Sequence, residues 1–205
     1  SFGKAWPGVL EALNLIGSTQ VQGRASLGGN LCNGSPAGDS IPALIAAEAT
    51  VNIQGPNGSR QLAVKDVLSG PGRTNLSQDE IAVNFYFPPR PLGSGDAYLR
   101  MIPRTEMDIA VVGCGVNLTL ENNICTSATV GLGAVAPVVL KVEAAAEALV
   151  GNKIEGESLE RAADACRAVC NPIDDKRGTI AYRTKVAGVL LKRAATIASQ
   201  RAEGA

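Results

Sequence analysis

Apolar residues recur at helical spacing near the start of the chain and in its last third, and they alternate with polar residues in between. The helical spacing predicts helices over 7–16, 41–48, 137–150, 158–169 and about 181–200. The alternating spacing predicts strands over 50–54, 60–64, 82–87, 97–102, 109–120 and 124–133. Because strands and helices are segregated along the second half of the chain, we expect an α+β fold.

Two turn-forming stretches organise these strands. Residues 55–58, Gly-Pro-Asn-Gly, predict a tight turn between the strands of a hairpin. Residues 88–95 combine prolines and glycines and predict a linker. We therefore expect two domains, residues 1–90 and residues 97–205. The first has antiparallel strands with flanking helices, and the second has a three-stranded antiparallel sheet with three helices.

The composition fits a packed protein with no strong charge. The chain has 205 residues, 45% of them hydrophobic, and its 19 basic and 19 acidic residues give a formal net charge of zero. This balance argues against a nucleic-acid partner, which requires a basic surface. No apolar run is long enough for a membrane span, and no signal peptide opens the sequence. These features predict a cytoplasmic protein.

The cysteine content and the absence of histidine limit the kinds of catalysis that this chain could support. An odd number of scattered cysteines indicates free thiols in a reducing compartment. The five are Cys32, Cys114, Cys125, Cys166 and Cys170. Cys166 and Cys170 are four residues apart without a second pair, so we favour apolar packing over a metal site. The chain has no histidine, which excludes Ser-His and Cys-His catalysis and the HExxH motif. We expect no catalytic residue here: either a cofactor or a partner subunit supplies the chemistry.

The most informative stretch is 26–40. Adjacent glycines, Gly28 and Gly29, lie between Ser26 and Asn30, so bare backbone N–H groups are flanked by short polar side chains. This composition predicts a loop that cradles phosphate oxygens, although a purely structural turn has the same composition. Asp39 and the residue after it then begin a helix.

Three stretches in the same order resemble the flavoprotein (medium) subunits of molybdenum hydroxylases, the family of carbon monoxide dehydrogenase and xanthine dehydrogenase. They are residues 16–21, residues 26–44 and residues 104–112, and Ala181-Tyr182-Arg183 fits the family's usual ending. The resemblance implies that residues 1–90 are the second lobe of an FAD-binding domain. It also implies that residues 97–205 are the flavoprotein C-terminal domain.

The resemblance also implies an FAD site. The residues concerned are Ile16, Ser26, Leu27, Gly28, Gly29, Asn30, Asp39, Ala82 and Arg100. Ser26, Gly28, Gly29 and Asn30 would hold the pyrophosphate. Asp39 would accept a hydrogen bond from a ribose hydroxyl, which is compatible with a role as helix cap. Ile16 would lie against the cofactor and Ala82 would approach the flavin through its backbone. Arg100 would place a cation near the flavin or a phosphate, or it is simply a solvated strand residue. We expect Asp108 to be structural, paired with the backbone or with Arg104.

The family resemblance implies partners as well. A large subunit would carry molybdopterin and oxidise the substrate, and a small subunit would carry two [2Fe-2S] clusters. FAD would pass the electrons to an external acceptor, in a heterotrimer or a dimer of heterotrimers. Family members carry a further FAD segment, an Ala-Gly-Gly-type loop, and nothing before Ser26 matches it. We therefore expect this chain to be part of a longer or divided subunit. The alternative is a non-catalytic scaffold subunit of the same fold that has lost FAD.

Overall fold

The computed structural model describes residues 2–105 and 107–204, so the outermost residues of the two predicted domains, Ser1 and Ala205, lie outside the described part. The helices are α1 (Phe2–Ala5), α2 (Pro7–Asn14), α3 (Thr19–Gln22), α4 (Leu27–Cys32), α5 (Ser40–Ala46), α6 (Glu143–Leu149), α7 (Gly156–Ala168) and α8 (Ile180–Glu203). The strands are β1 (Thr50–Gly55), β2 (Gly58–Ala63), β3 (Leu68–Gly70), β4 (Arg73–Thr74), β5 (Ile81–Tyr86), β6 (Ser94–Met101), β7 (Val112–Glu121), β8 (Ile124–Gly133) and β9 (Leu140–Lys141). This content confirms the predicted α+β class.

The N-terminal part is built around a three-stranded antiparallel sheet in the order β2-β1-β5. The predicted hairpin is confirmed, since β1 pairs with β2 and Gly55 lies opposite Gly58. Val51 and Ile53 of β1 point into the core, because alternate side chains of a strand face opposite sides of the sheet. Residues 69–75, which we expected to form a loop, contain the short antiparallel pair β3–β4. Pairs this short leave no periodicity in the sequence.

Helix α5 joins the two parts of the molecule. All its residues, from Ser40 to Ala46, are buried, as its apolar surface on every side predicts. One side packs against the core of the N-terminal part, where Leu44 is fully buried. The opposite side lies on strands β7 and β8 of the C-terminal sheet. The helix is therefore shared by both cores.

The C-terminal part is an antiparallel sheet in the order β6-β7-β8-β9. It has the three predicted strands and an additional two-residue edge strand, β9. The predicted helix over 137–150 is wrong at its start, because Leu140–Lys141 pairs with β8 and the helix begins only at Glu143. The predicted strand over 109–120 begins later, at Val112. Conversely, β6 begins inside the predicted linker, since Gly95 has no side chain and α8 packs directly against its backbone.

The two faces of the C-terminal sheet are covered differently. Helices α6 and α8 pack on a face rich in side chains, which includes Cys114 and Leu132, and α7 packs against these two helices. Helix α5 covers a face of paired glycines, where Gly115 lies opposite Gly131. A Cβ atom on Gly115 would lie 2.6 Å from the carbonyl oxygen of Pro42, so the helix backbone rests directly on the sheet. This close approach fixes the beginning of α5 relative to β7 and β8. Within the described residues, no helix has both the length and the apolarity needed to cross a membrane.

Candidate functional site

The Gly-Gly stretch forms a helix and not the loop that we expected. Ser26 is the N-cap residue of α4, and its Oγ accepts a hydrogen bond from the Gly29 N–H at 3.0 Å. The Asn30 N–H donates to the carbonyl oxygen of Ser26, also at 3.0 Å. Serine capping offsets the low helix propensity of two adjacent glycines over this short span. The turn is therefore ordered by its own residues.

The first turn of α4 forms one wall of an open groove with a volume of about 430 Å³. Ser26, Gly28 and Gly29 line this wall. Among the described residues, the Gly28 N–H meets no hydrogen-bond acceptor. A Cβ atom on Gly28 would project into open space, with nothing within 4 Å. One wall of the groove thus has a backbone donor without an acceptor, at a position where an added side chain would project into open space.

Strand β5 and the residues before it form the opposite wall. Ala82, a predicted site residue, lies there with Ser77 and Glu80. Glu80 accepts from Arg60 Nε at 2.6 Å and from the Ser77 N–H at 2.7 Å. The hydrogen bond from Arg60 lowers the pKa of Glu80 to about 2. Sequence reasoning missed this pair, because Arg60 and Glu80 belong to no motif and are joined only by the pairing of β1 with β2 and β5.

Asn30 faces away from the groove wall and holds the beginning of α5. Its Oδ1 accepts from Ser40 Oγ at 2.7 Å and from the Ser40 N–H at 3.3 Å. Leu27 is half-buried and packs against the core of the N-terminal part. The structure thus gives these two predicted site residues contacts that stabilise the turn. It places Gly28 and Gly29 on the groove itself.

Asp39 and Arg100 form an ion pair between the two parts of the molecule. Arg100 Nη1 lies 2.9 Å from Asp39 Oδ1, and the two side chains are 4% and 12% exposed respectively. The alternative in which Arg100 is a solvated strand residue is therefore wrong. Asp39 immediately precedes α5 but makes no side-chain capping hydrogen bond, so its expected cap role is not observed. Burial raises the pKa of Asp39, while Arg100 acts in the opposite direction.

Ile16 lies apart from the groove, beside a second depression of about 310 Å³. Its side chain is buried, and its neighbour Gly17 lines this depression with Val21 and Ile109. The Met107 N–H donates to the Gly17 carbonyl oxygen at 3.4 Å, which brings the residue 104–112 stretch next to residues 16–21. Two of the three stretches that carry the family resemblance therefore meet in space.

The charged residues of the C-terminal stretches have structural partners. Asp108 accepts from its neighbour's N–H and from Arg177 Nε, both at 2.8 Å, and lies 3.5 Å from Arg104. This confirms the expectation that Asp108 is structural. Arg183 is buried, donates to the Val111 carbonyl oxygen at 2.7 Å and pairs with Asp175 at 2.8 Å. It ties α8 to the beginning of β7.

Two family models match the chain. Residues 2–90 match the FAD binding domain in molybdopterin dehydrogenase. Residues 97–198 match the CO dehydrogenase flavoprotein C-terminal domain. Together the two matches include every residue of the groove and of the Asp39–Arg100 pair.

Individual relatives agree with these models. The chain is 34% identical to the carbon monoxide dehydrogenase medium chain of Hydrogenophaga pseudoflava, over 95% of this chain and 68% of that protein. It is 27% identical to a putative xanthine dehydrogenase FAD-binding subunit of Escherichia coli, over 97% of this chain and 68% of that protein. A crystal structure of the Cu,Mo-CO dehydrogenase superposes with a TM-score of 0.93 at 33% identity, covering 98% of this chain and 70% of that one.

Proposed function

The chain belongs to the family of flavoprotein subunits of molybdenum hydroxylases, and on this premise we propose that it binds FAD and passes electrons from the [2Fe-2S] clusters of a partner subunit to an external acceptor. The observation that carries the FAD proposal is Gly28. Gly28 lines the groove, its N–H has no acceptor among the described residues, and a Cβ atom there would project into open space. An oxygen-rich anion such as a pyrophosphate suits this donor.

The chain's own residues would hold and orient the cofactor. Ser26, Gly28 and Gly29 would contact the pyrophosphate, and Asp39 would accept from a ribose hydroxyl. Ala82 approaches from the opposite wall. We propose Ile16 as an apolar neighbour at a separate point of the same cofactor. FAD, when bound, supplies the capacity to take up and release electrons, which side chains without a redox centre lack.

The proposal extends to organisation and partners. We propose residues 1–90 as the second lobe of an FAD-binding domain and residues 97–205 as the C-terminal domain of the flavoprotein. The partners would be a large molybdopterin subunit and a small [2Fe-2S] subunit, in a heterotrimer or a dimer of heterotrimers. The cytoplasm is the proposed compartment, supported by five cysteines that are all free thiols.

The test of FAD binding is the variant Gly28→Ala in the assembled complex. The added methyl group meets no protein atom, so the fold should persist while FAD content per chain falls by most of its wild-type value. Gly23→Ala is the control, because a Cβ atom there makes only an ordinary contact, 3.5 Å from the Gln20 carbonyl oxygen. Asn30→Ala is a weaker test, since losing the bonds to Ser40 disturbs α5 as well.

Flavin absorbance and FAD released by heat give the occupancy, and thermal melting reports the fold. A wild-type complex without flavin would overturn the proposal and favour the scaffold alternative. Unchanged occupancy in Gly28→Ala would show that the turn does not hold the cofactor. Co-purification of a large molybdopterin chain and a small iron–sulfur chain tests the proposed partners.

A further inference from the structure

The ion pair between Asp39 and Arg100 joins the two parts of the molecule, and the Asp39 side chain is more exposed than that of Arg100. Asp39 precedes α5 in the N-terminal part, and Arg100 comes from β6 in the C-terminal part. Arg100 donates the well-formed hydrogen bond to Asp39 Oδ1, and the Tyr98 hydroxyl interacts with the same carboxylate. A buried ion pair is costly to maintain for packing alone.

A continuous line of contacts connects this pair to the groove. Asp39 is followed by Ser40, whose hydroxyl and N–H both donate to Asn30 Oδ1. Asn30 directly follows Gly28 and Gly29 in the capped turn of α4. A displacement of the Asp39 carboxylate is therefore transmitted to the turn through adjacent residues and two hydrogen bonds.

The protonation of Asp39 depends on very few groups. The titratable or charged side chains that face it are Arg100 and Tyr98, both from β6. The neighbouring side chains of α4 and α5, Asn30 and Ser40, are uncharged. Tyr98 is buried; its hydroxyl makes no hydrogen bond of good geometry among the described residues, and its interaction with Asp39 lowers the pKa of that carboxyl. Without Arg100, no positive charge would oppose the effect of burial, which raises the pKa of Asp39.

We propose that Arg100 is a positioning residue of the FAD site: by pairing with Asp39 it keeps that carboxylate ionised and fixed beside the turn of α4. An ionised carboxylate only accepts hydrogen bonds, which suits a ribose hydroxyl as donor. The Arg100 side chain is only 4% exposed, so its proposed action on the cofactor is through Asp39 and not by direct contact. This inference rests on the proposed function and assigns Arg100 a role distinct from that of a cation beside the flavin.

The experiment measures the FAD dissociation constant as a function of pH. The assembled complex is stripped of FAD and titrated with it, from about pH 6 to about pH 9. Wild type should show a flat profile, since Arg100 keeps Asp39 ionised throughout. Arg100→Met should bind FAD roughly ten- to a hundredfold more weakly at pH 6, the range expected when a hydrogen bond to a charged group is lost. Its affinity should recover as the pH rises and Asp39 ionises. Arg100→Lys should restore the flat profile.

Arg90→Met is the control, because Arg90 forms a comparable pair with Asp96, at 3.0 Å, elsewhere between the two parts of the molecule. It should lower the melting temperature of the apoprotein and leave the FAD affinity and its flat pH profile unchanged. A merely structural role for Arg100 predicts the same behaviour in Arg100→Met, and that result would overturn the inference.

The double variant Asp39→Asn with Arg100→Met keeps the inference testable if Arg100→Met does not fold. It removes both charges, so no unpaired charge remains buried. It should fold and bind FAD weakly at every pH, and wild-type affinity in this variant would refute the role of the pair. A wild-type complex that binds no FAD would overturn the proposed function and this inference together, whereas normal wild-type binding with an unaffected Arg100→Met overturns the inference alone.

Discussion

The two main sheets of the molecule differ in how much of their surface is covered. The C-terminal sheet has α6 and α8 on one face and α5 on the other. The N-terminal sheet has one buried face, and its outer face carries exposed polar side chains such as Asn52 and Gln61, joined by hydrogen bonds. Its edge strand β5 also exposes Ile81 and Val83. One sheet is thus covered on both faces, whereas the other is covered on one face and open to solvent on the other.

The difference matters because each sheet contributes to a wall of the groove. The turn of α4 is tied to α5, and α5 rests on the glycine face of the C-terminal sheet. The opposite wall includes Ala82 of β5, an edge strand of the exposed sheet. We expect the wall that includes Gly28 to be the fixed one and the β5 wall to adjust, since local opening is easiest where few apolar contacts hold a strand.

The largest effect should come from the side-chain-rich face of the C-terminal sheet. Leu132 of β8 is fully buried in the core that the sheet forms with α6, α7 and α8. Leu132→Ala should lower the free energy of unfolding by about 2–5 kcal/mol, because it removes buried methyl groups and leaves a cavity. Urea unfolding measures the loss. Leu132→Met, which preserves volume, should cost less than about 1.5 kcal/mol. Equal losses in the two variants would mean that this face is not tightly packed.

A substitution at the adjacent residue, Gly131, should lower the stability less than Leu132→Ala does but should affect FAD binding more. Gly131 points to the opposite face, where a Cβ atom would overlap the Pro42 carbonyl group. Gly131→Ala should cost about 1–3 kcal/mol by overpacking and should also weaken FAD binding, since α5 would move with Asp39. Leu132→Ala should leave FAD affinity unchanged. Ser127→Ala, at an exposed position of β8, is the control. Normal FAD affinity in Gly131→Ala would show that the position of α5 does not set the site.

Sequence patterns predicted most strands and helices of the two parts of the molecule but not the contacts that join the two parts. Helix α5 and the long helices follow from apolar spacing, and the hairpin follows from Gly55 to Gly58. The start of the 137–150 helix was wrong, because the two residues of β9 are specified by their partner strand and not by a local pattern. The glycine face could not be predicted either, because Gly115 and Gly131 are far apart in sequence. Their lack of side chains matters only because the backbone of α5 approaches them in the folded protein.

The candidate site, too, could be predicted from the sequence only in part. The residues of the Gly-Gly turn are contiguous, and their role in a groove could be inferred from composition and family resemblance. Its helical form could not, because glycine disfavours helix and only the Ser26 cap reverses that preference. The burial of Arg100 and its pairing with Asp39 depend on contact between the two parts of the chain, which no local pattern contains.

A weak effect is expected on the outer face of the N-terminal sheet. Asn52 Nδ2 donates to Asn84 Oδ1 at 2.6 Å, and Asn52 Oδ1 accepts from Gln61 at 3.0 Å. Asn52→Ala removes both hydrogen bonds, but the side chains of Asn84 and Gln61 can then bond to water. The loss in the free energy of unfolding should therefore stay within about 0.5 kcal/mol. Hydrogen exchange at β5 amides should accelerate while β8 amides remain unchanged. Slower exchange at β5 than at β8 in the wild type would reverse the comparison between the sheets.

The subtlest effect concerns pH and the exposed pair of Arg60 with Glu80. The hydrogen bond from Arg60 lowers the pKa of Glu80 from 4.5 to about 2, so the folded state favours the ionised carboxylate. The stability from this pair is therefore fully present above about pH 4.5 and is lost as the pH falls toward 2. Urea midpoints of wild type and Glu80→Gln should differ at neutral pH and converge as the medium is acidified. Because every other carboxylate titrates equally in both proteins, the difference isolates Glu80. Curves that stay parallel down to about pH 2 would show that Arg60 does not stabilise this wall of the groove through charge.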